Sequence, residues 1–374
     1  MNYVRLGDLC VINSGGTPRR NNESYWKNGD IPWVKISDLN NGVVESTEEF
    51  ITLDGLKNSS AKIFPQGTLL YTIFATIGEV AILNIDAATN QAIVGLQLKE
   101  NQKVYLKYIY YYLKSQTNII KQLGRGVAQN NINLSVVKNM IIPIVSLEKQ
   151  SNIIATLSKL EKIKENRIII SNYLDSLIKS RFVEMFGVFN LNSNNSNTIK
   201  FKDLIEQNKI NGEDFFWLLN LDMIKPNTGE IVKKVYINSQ NIPTSSISFK
   251  KGTVLYSKLR PYLNKVVIAD ENGYGTSELI PLNSYKNGLT AEYLAYYLRQ
   301  DSFVEYIKDK VTGAKMPRVA MDVLRGIDIV QPNYVYQKKF SSFVYQINKL
   351  KSDVQKSIDE TQLLMDSLMQ EYFG

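Results

Sequence analysis

The stretch from Leu147 to Gly187 reads as one long helix, and a second version of it closes the chain. The final Tyr372-Phe373-Gly374 matches Met185-Phe186-Gly187 at a separation of 187 residues, half of the 374 in the chain. A chain cut into equal halves, each ending in a long helix, is first of all an internal duplication. Forty helical residues extend about 60 Å at 1.5 Å per residue. That is too long to be buried in a domain of this size, so each helix needs a partner.

The segments ahead of the helices repeat as well. Residues 1–146 form the first domain, 147–187 the first long helix, 188–332 the second domain and 333–374 the second long helix. Ile199-Lys-Phe-Lys-Asp-Leu mirrors Val4-Arg-Leu-Gly-Asp-Leu, and Gly252-Thr-Val-Leu-Tyr-Ser mirrors Gly67-Thr-Leu-Leu-Tyr-Thr. Tyr293-Leu-Ala-Tyr-Tyr-Leu mirrors Tyr108-Ile-Tyr-Tyr-Tyr-Leu, an amphipathic helix spanning Val104 to Leu123 by its 3-4 spacing. Short β-branched and aromatic runs at Trp33, Gly67, Glu79 and Met140 predict strands. The expected fold is therefore α+β: two similar globular domains related by a pseudo-twofold, separated by two long antiparallel helices forming a coiled coil.

A heptad frame places Ile153, Leu160, Ile163, Ile170, Leu174 and Leu177 on one seam, and Phe340, Phe343, Ile347, Leu350, Val354, Leu364 and Leu368 on the other. Apolar residues outside that frame would form a surplus face for partner proteins. They are Ile154, Ile168, Ile169 and Ile178 on the first helix and Leu363, Met365 and Met369 on the second.

Composition excludes several classes of function. Histidine is absent, which removes the commonest general base and metal ligand, and Cys10 is the single cysteine. Neither a disulfide framework nor a Cys-based zinc site can be built within the chain. No apolar run approaches a bilayer span, and the opening MNYVRLGDLC carries no apolar signal core, so a cytoplasmic location is expected. The sequence has no dinucleotide GxGxxG, no phosphate-binding P-loop and no EF-hand loop. Gly15-Gly16-Thr17-Pro18 reads as a turn or as a backbone nest for a phosphate. Catalysis within this chain is not expected, and no metal site is.

A formal charge of +8 and a pI near 9.1 favour an anionic partner. Basic and polar loop clusters recur at comparable places in the halves. The first half has Arg19, Arg20, Lys35, Arg125 and Asn130, and the second has Lys258, Arg260, Tyr262, Lys315 and Arg318. Arginine and lysine bind guanine edges and phosphates, asparagine and glutamine can read adenine, and Tyr262 would stack or position. Any single one of these residues reads equally well as part of a solvated loop; the clusters as a set, with arginine prominent and Pro or Gly stiffening each loop, suit major-groove contact.

The wording of these loops resembles the DNA-specificity subunit of type I restriction-modification systems. In the first half the resemblance rests on GGTPRRNNESYWKNGDIPWVKISDL, GTLLYTIFATIGEVAI and the IIPIVSLEKQ that leads into the helix. In the second it rests on LLNLDMIKPNTG, GTVLYSKLRPYLNKVVI, GYGTSELIPL and GAKMPRV. It covers essentially the whole chain and departs at Val145-Ser146, where a proline is usual. The resemblance implies a non-catalytic subunit whose globular domains, as target-recognition domains, each read one half of a bipartite double-stranded DNA site. It implies two modification (methyltransferase) subunits that hold S-adenosylmethionine and methylate adenine. It also implies restriction (motor-nuclease) subunits that use ATP and Mg. Two readings compete with it: a coiled-coil scaffold that binds protein and never DNA, and a carboxylate- or lysine-based hydrolase.

Overall fold

The computed structural model describes residues 2–39, 42–124, 132–189, 197–206, 210, 214–285 and 288–374. The chain divides into two compact units, Met1–Asn166 with Ser357–Gly374, and Arg167–Lys356. Both long helices, Leu147–Phe186 and Tyr334–Phe373, cross that division, so each unit contains a piece of both.

The first unit opens with strand Asn2–Arg5, which pairs antiparallel with Ile141–Ile144, Tyr3 opposite Pro143. A five-stranded sheet follows in the order Cys10–Ser14, Ile93–Leu98, Leu69–Thr72, Val80–Leu83, Val43–Val44. A four-stranded sheet runs Glu49–Ile51, Ile31–Val34, Ala87–Thr89, Ile63–Phe64, with Trp33 opposite Ala88 in a parallel pair. Side chains alternate across a strand, and Leu69–Thr72 uses both faces. Leu69 and Tyr71 join the core beneath helix Leu106–Gly124, while Leu70 joins the core with Val34 and Phe64. Cys10 lies in the first of these cores, where burial pushes its thiol up to about 12.

The second unit repeats the order. Strand Thr198–Lys200 pairs with Asp328–Val330. A three-stranded sheet runs Val266–Ile268, Val254–Ser257, Leu279–Leu282, matching the middle of the five-stranded one. A four-stranded sheet runs Val235–Asn238, Phe215–Leu219, Gly273–Gly275, Ile247–Phe249, with Trp217 opposite Gly273 in parallel. Val254 and Tyr256 face the core beneath helix Ala291–Leu298, and Leu255 faces the other sheet. The duplication read in the sequence thus extends to strand order, strand direction and side-chain phase.

The long helices are antiparallel. Lys164 Nζ donates to Gln362 Oε1 at 2.6 Å in the first unit, and Lys351 Nζ meets Asp175 Oδ1 at 2.5 Å in the second, so numbering rises on one helix as it falls on the other. In the first unit Leu157, Met365, Met369 and Phe373 enter the main core, with the Phe373 ring 5.1 Å from that of Tyr108. Tyr111 and Lys114 hold the first long helix through Glu161, each at 2.7 Å. Burial alone would lower the Lys114 pKa, but Tyr110 and Glu161 outweigh it and raise it. In the second unit Ile178, Phe182, Phe340, Val344 and Ile347 enter the core, and Phe186 packs 4.9 Å from Tyr293.

This corrects the expected heptad phase. Ile170, Leu177, Leu350 and Leu364, placed on the seams, are each about half exposed. Conversely Ile178, Met365 and Met369, expected on the surplus face, are core residues. The physical reason is that the helix faces are set by docking onto the globular cores as well as onto the opposite helix. Near the change-over between units polar contacts, Lys164–Gln362 and Lys351–Asp175, stand on the helices alongside the buried Ile358. Ile154 is partly buried against the first core, while Ile168, Ile169 and Leu363 are exposed. Among the described residues no helix is long and apolar enough to cross a membrane.

Candidate nucleic-acid interface

In the second unit the cationic residues converge on two loops stitched together by backbone hydrogen bonds. The loop after strand Val254–Ser257 carries Lys258, Arg260 and Tyr262. A hairpin formed by Val311–Thr312 and Arg318–Val319 carries Lys315 in its turn. Arg260 N–H donates to Pro317 O at 2.8 Å, Val319 N–H donates to Lys258 O at 3.0 Å, and Leu259 bridges Arg318. Four of the predicted residues therefore sit on one framework with Arg318. The guanidinium of Arg260, the ammonium groups of Lys258 and Lys315 and the hydroxyl of Tyr262 have no side-chain partner among the described residues, and Arg260, Tyr262 and Lys315 are exposed.

Arg260 holds a left-handed backbone, φ 47° and ψ 58°, directly before Pro261. A proline disfavours the α region for the residue before it, and left-handed backbone is costly for any residue with a Cβ. The corresponding loop of the first unit bends the same way at Ala75, φ 58°, 185 residues earlier. The conformation thus belongs to the shared loop geometry, while the charge belongs to the second half alone, since Ile73 and Ala75 stand where it has Lys258 and Arg260.

Arg318 is differently placed. Its Nε donates to Glu278 Oε1 at 2.9 Å and Oε2 at 3.1 Å, and its Nη2 to Oε1 at 2.7 Å. Those hydrogen bonds and the charge of Glu278 raise its pKa further.

The first-unit residues are engaged too. Arg20 bonds Glu49, and its guanidinium lies 3.8 Å from the Trp26 ring centroid and 4.6 Å from that of Trp33. Lys35 Nζ reaches Glu48 at 2.9 Å and Glu49 at 3.1 Å. Partial burial pushes the Glu49 carboxyl up, but the bonds from Arg20 and Lys35 outweigh it and hold the pKa below the usual range. Arg19 is exposed, and its carbonyl accepts from Trp26 Nε1 at 3.1 Å. Arg125 and Asn130 lie outside the described residues. A comparable cation covers the matching tryptophan in the second unit, where Lys234 stands 5.1 Å from the Trp217 centroid and bonds Asp270 and Glu271.

Gly15-Gly16 do not form the expected turn; they run on from strand Cys10–Ser14, Gly15 N–H donating to Ile93 O at 3.0 Å and Gly16 N–H to Thr89 O at 2.8 Å. A Cβ on Gly16 would stand 2.3 Å from Ser60, so the glycine serves a close backbone approach. Among the described residues no group of three or more acidic or cysteine side chains could hold a metal.

Residues 1–172 match the family profile described as "Type I restriction modification DNA specificity domain". Over that part of its length, just under half, the chain is similar to the specificity subunits of type I systems. The specificity subunit of the type I restriction enzyme MjaIX of Methanocaldococcus jannaschii is 24% identical over 397 residues, covering 98% of this chain and 90% of that protein. A solved chain from work on complex assembly and conformational transition of a type I system superposes with a TM-score of 0.59 at 15% identity, over 99% of this chain and 97% of that one. The type I S subunit of M. genitalium gives 0.51 at 16% identity, over 100% and 96%. The two-unit architecture with paired long helices is thus the fold of type I specificity subunits.

The carboxylates that orient these cations, Glu278, Glu48 and Glu49, carry no signal in the sequence. Glu278 lies in the GYGTSELIPL segment, but its partner is 40 residues away in sequence. Only the hairpin after helix Asp301–Lys308 brings them together.

Proposed function

We propose that this chain is a specificity subunit that reads a two-part DNA target, one unit for each part. In this reading it assembles with two modification subunits that hold S-adenosylmethionine and methylate adenine, and restriction subunits supply ATP- and Mg-dependent motor and nuclease activity. The chain itself carries out no catalysis. The observation that carries the reading is the repeated sheet order together with the stitched loops of the second unit, which group Lys258, Arg260, Tyr262 and Lys315 at one rigid framework. Cations supply salt-dependent phosphate attraction, and rigid loops give base contacts a fixed register. Readers on one face of B-DNA stand about one helical turn, roughly 34 Å, or a multiple of it apart; the proposal assigns that spacing to the long helices. The modification subunits dock on exposed apolar residues of those helices, Ile169 and Leu363 among them.

The test is duplex binding by the complex reconstituted with its methyltransferase, across a series of salt concentrations. Replacing Lys258, Arg260 and Lys315 by alanine is expected to weaken binding and flatten the logarithmic salt dependence by about 1 for each phosphate contact removed. Unchanged affinity and slope would remove these loops from the interface.

A further inference from the structure

A guanidinium carries five N–H donors in one plane. Glu278 engages one edge of Arg318, the Nε–H and one Nη2–H. Both Nη1 hydrogens and the second Nη2 hydrogen remain, and Nη1 has no acceptor among the described residues. The remaining edge presents two parallel donors, the arrangement that matches O6 and N7 of guanine in the major groove. The Arg318 side chain is 41% exposed and that of Glu278 18%, so the carboxylate is sheltered while the outer edge stays open.

Both members of the pair are fixed through one residue. Lys258 N–H donates to Glu278 O at 3.0 Å, and Lys258 O accepts from Val319 N–H at 3.0 Å, next to Arg318. The backbone of Lys258 thus sets the separation of carboxylate and guanidinium. Electrostatics then favours one class of ligand. The pair is neutral as a whole, so it contributes little to attraction for phosphates or to counterion release. Its directional donors are retained, and these suit a neutral base edge with two acceptors.

We propose that Glu278 is a positioning residue that presets Arg318 to read a guanine in the part of the target bound by the second unit. The proposal rests on the DNA-reading function above. Glu278 acts by removing the rotational freedom of a long side chain before DNA arrives, which sharpens discrimination more than it changes affinity.

The experiment uses the full chain in complex with its methyltransferase. Sequence-randomised duplexes are selected for binding, and each guanine of the recovered site is then replaced by 7-deazaguanine, which lacks the N7 acceptor. One guanine is expected to lose on the order of 10- to 100-fold in affinity on that replacement. In Arg318→Ala the loss at that position disappears. In Glu278→Gln it shrinks to a few-fold while binding to scrambled duplex is no weaker, the guanidinium charge now being uncompensated, and the double variant behaves like Arg318→Ala. Thermal melting of each variant separates misfolding from lost reading, and misfolding could not erase sensitivity at one guanine alone. If Glu278→Gln binds every duplex more tightly, with a steeper salt dependence and full discrimination, Glu278 is a lock on the arginine and the proposal is overturned. A selective wild-type complex with no 7-deazaguanine-sensitive position also overturns it alone. A wild-type complex with no sequence selectivity overturns the DNA-reading function and the proposal with it.

Discussion

Gln150 and Gln337, 187 residues apart, are both fully buried and make the same three hydrogen bonds, each within its own unit. Gln150 Oε1 accepts from Tyr105 N–H at 3.0 Å, and its Nε2 donates to Lys103 O at 3.1 Å and Val145 O at 2.9 Å. Gln337 Oε1 accepts from Thr290 N–H at 2.9 Å, and its Nε2 donates to Gly288 O at 3.2 Å and Pro332 O at 2.8 Å. Each side chain ties the first turn of a long helix to the loop entering the preceding domain helix. Alanine at either position strands buried backbone groups, and the expected cost is about 2 to 4 kcal/mol. Urea unfolding followed by tryptophan fluorescence checks this, since Trp26 and Trp33 report on the first unit and Trp217 on the second. Gln337→Ala should shift the Trp217 transition.

The helix faces give a contrast in stability. Ile178→Ala and Met365→Ala open cavities in packed cores and are each expected to cost about 2 to 5 kcal/mol. Ile169→Ala and Leu363→Ala remove exposed side chains and should stay within about 0.5 kcal/mol of wild type. If modification subunits dock on those faces, Ile169→Glu and Leu363→Glu fold normally but fail to co-elute with them in size-exclusion chromatography.

At Arg260 the backbone and the charge can be separated. Glycine accepts φ 47° without the Cβ penalty, so Arg260→Gly is expected to be about 1 kcal/mol more stable than Arg260→Ala. Both variants lose the cation and should lose duplex affinity equally. Paired thermal melts and binding curves check the two halves of this prediction.

Glu49 gives a pH dependence of known sign. Its folded-state pKa is depressed by Arg20 and Lys35, so its contribution is present above the unfolded value and lost as pH falls through the folded one. The stability difference between wild type and Glu49→Gln should therefore be constant near neutrality and shrink below about pH 4.5, the ordinary carboxylate range. Solvent screening of these partly exposed groups keeps the difference to about 1 kcal/mol or less. Denaturant melts at pH 7 and pH 3.5 measure it.

Most of the fold was legible because the chain states it twice. The two copies of Gly-Thr-aliphatic-aliphatic-Tyr became equivalent central strands, and the tyrosine-rich helices became their cover. The rotation of the long helices was not legible. Both carry apolar residues on more than one face, and a heptad count cannot know that Ile178 and Met365 dock on domains whose surfaces form only after folding. Among the candidate contacts, basic character was readable and engagement was not. Arg20 and Arg318 look like Arg260 in sequence, but Glu49 and Glu278 reach them from 29 and 40 residues away.

The central claim, that one chain reads two separated sequence elements, is tested most directly by mapping methylated adenines across a genome. The map is made in cells carrying this gene with its methyltransferase, and again after the gene is deleted. The account predicts a gapped motif of two specified parts around an unspecified spacer, present with the gene and lost without it. A single uninterrupted motif, or a gapped one that survives deletion, would contradict it.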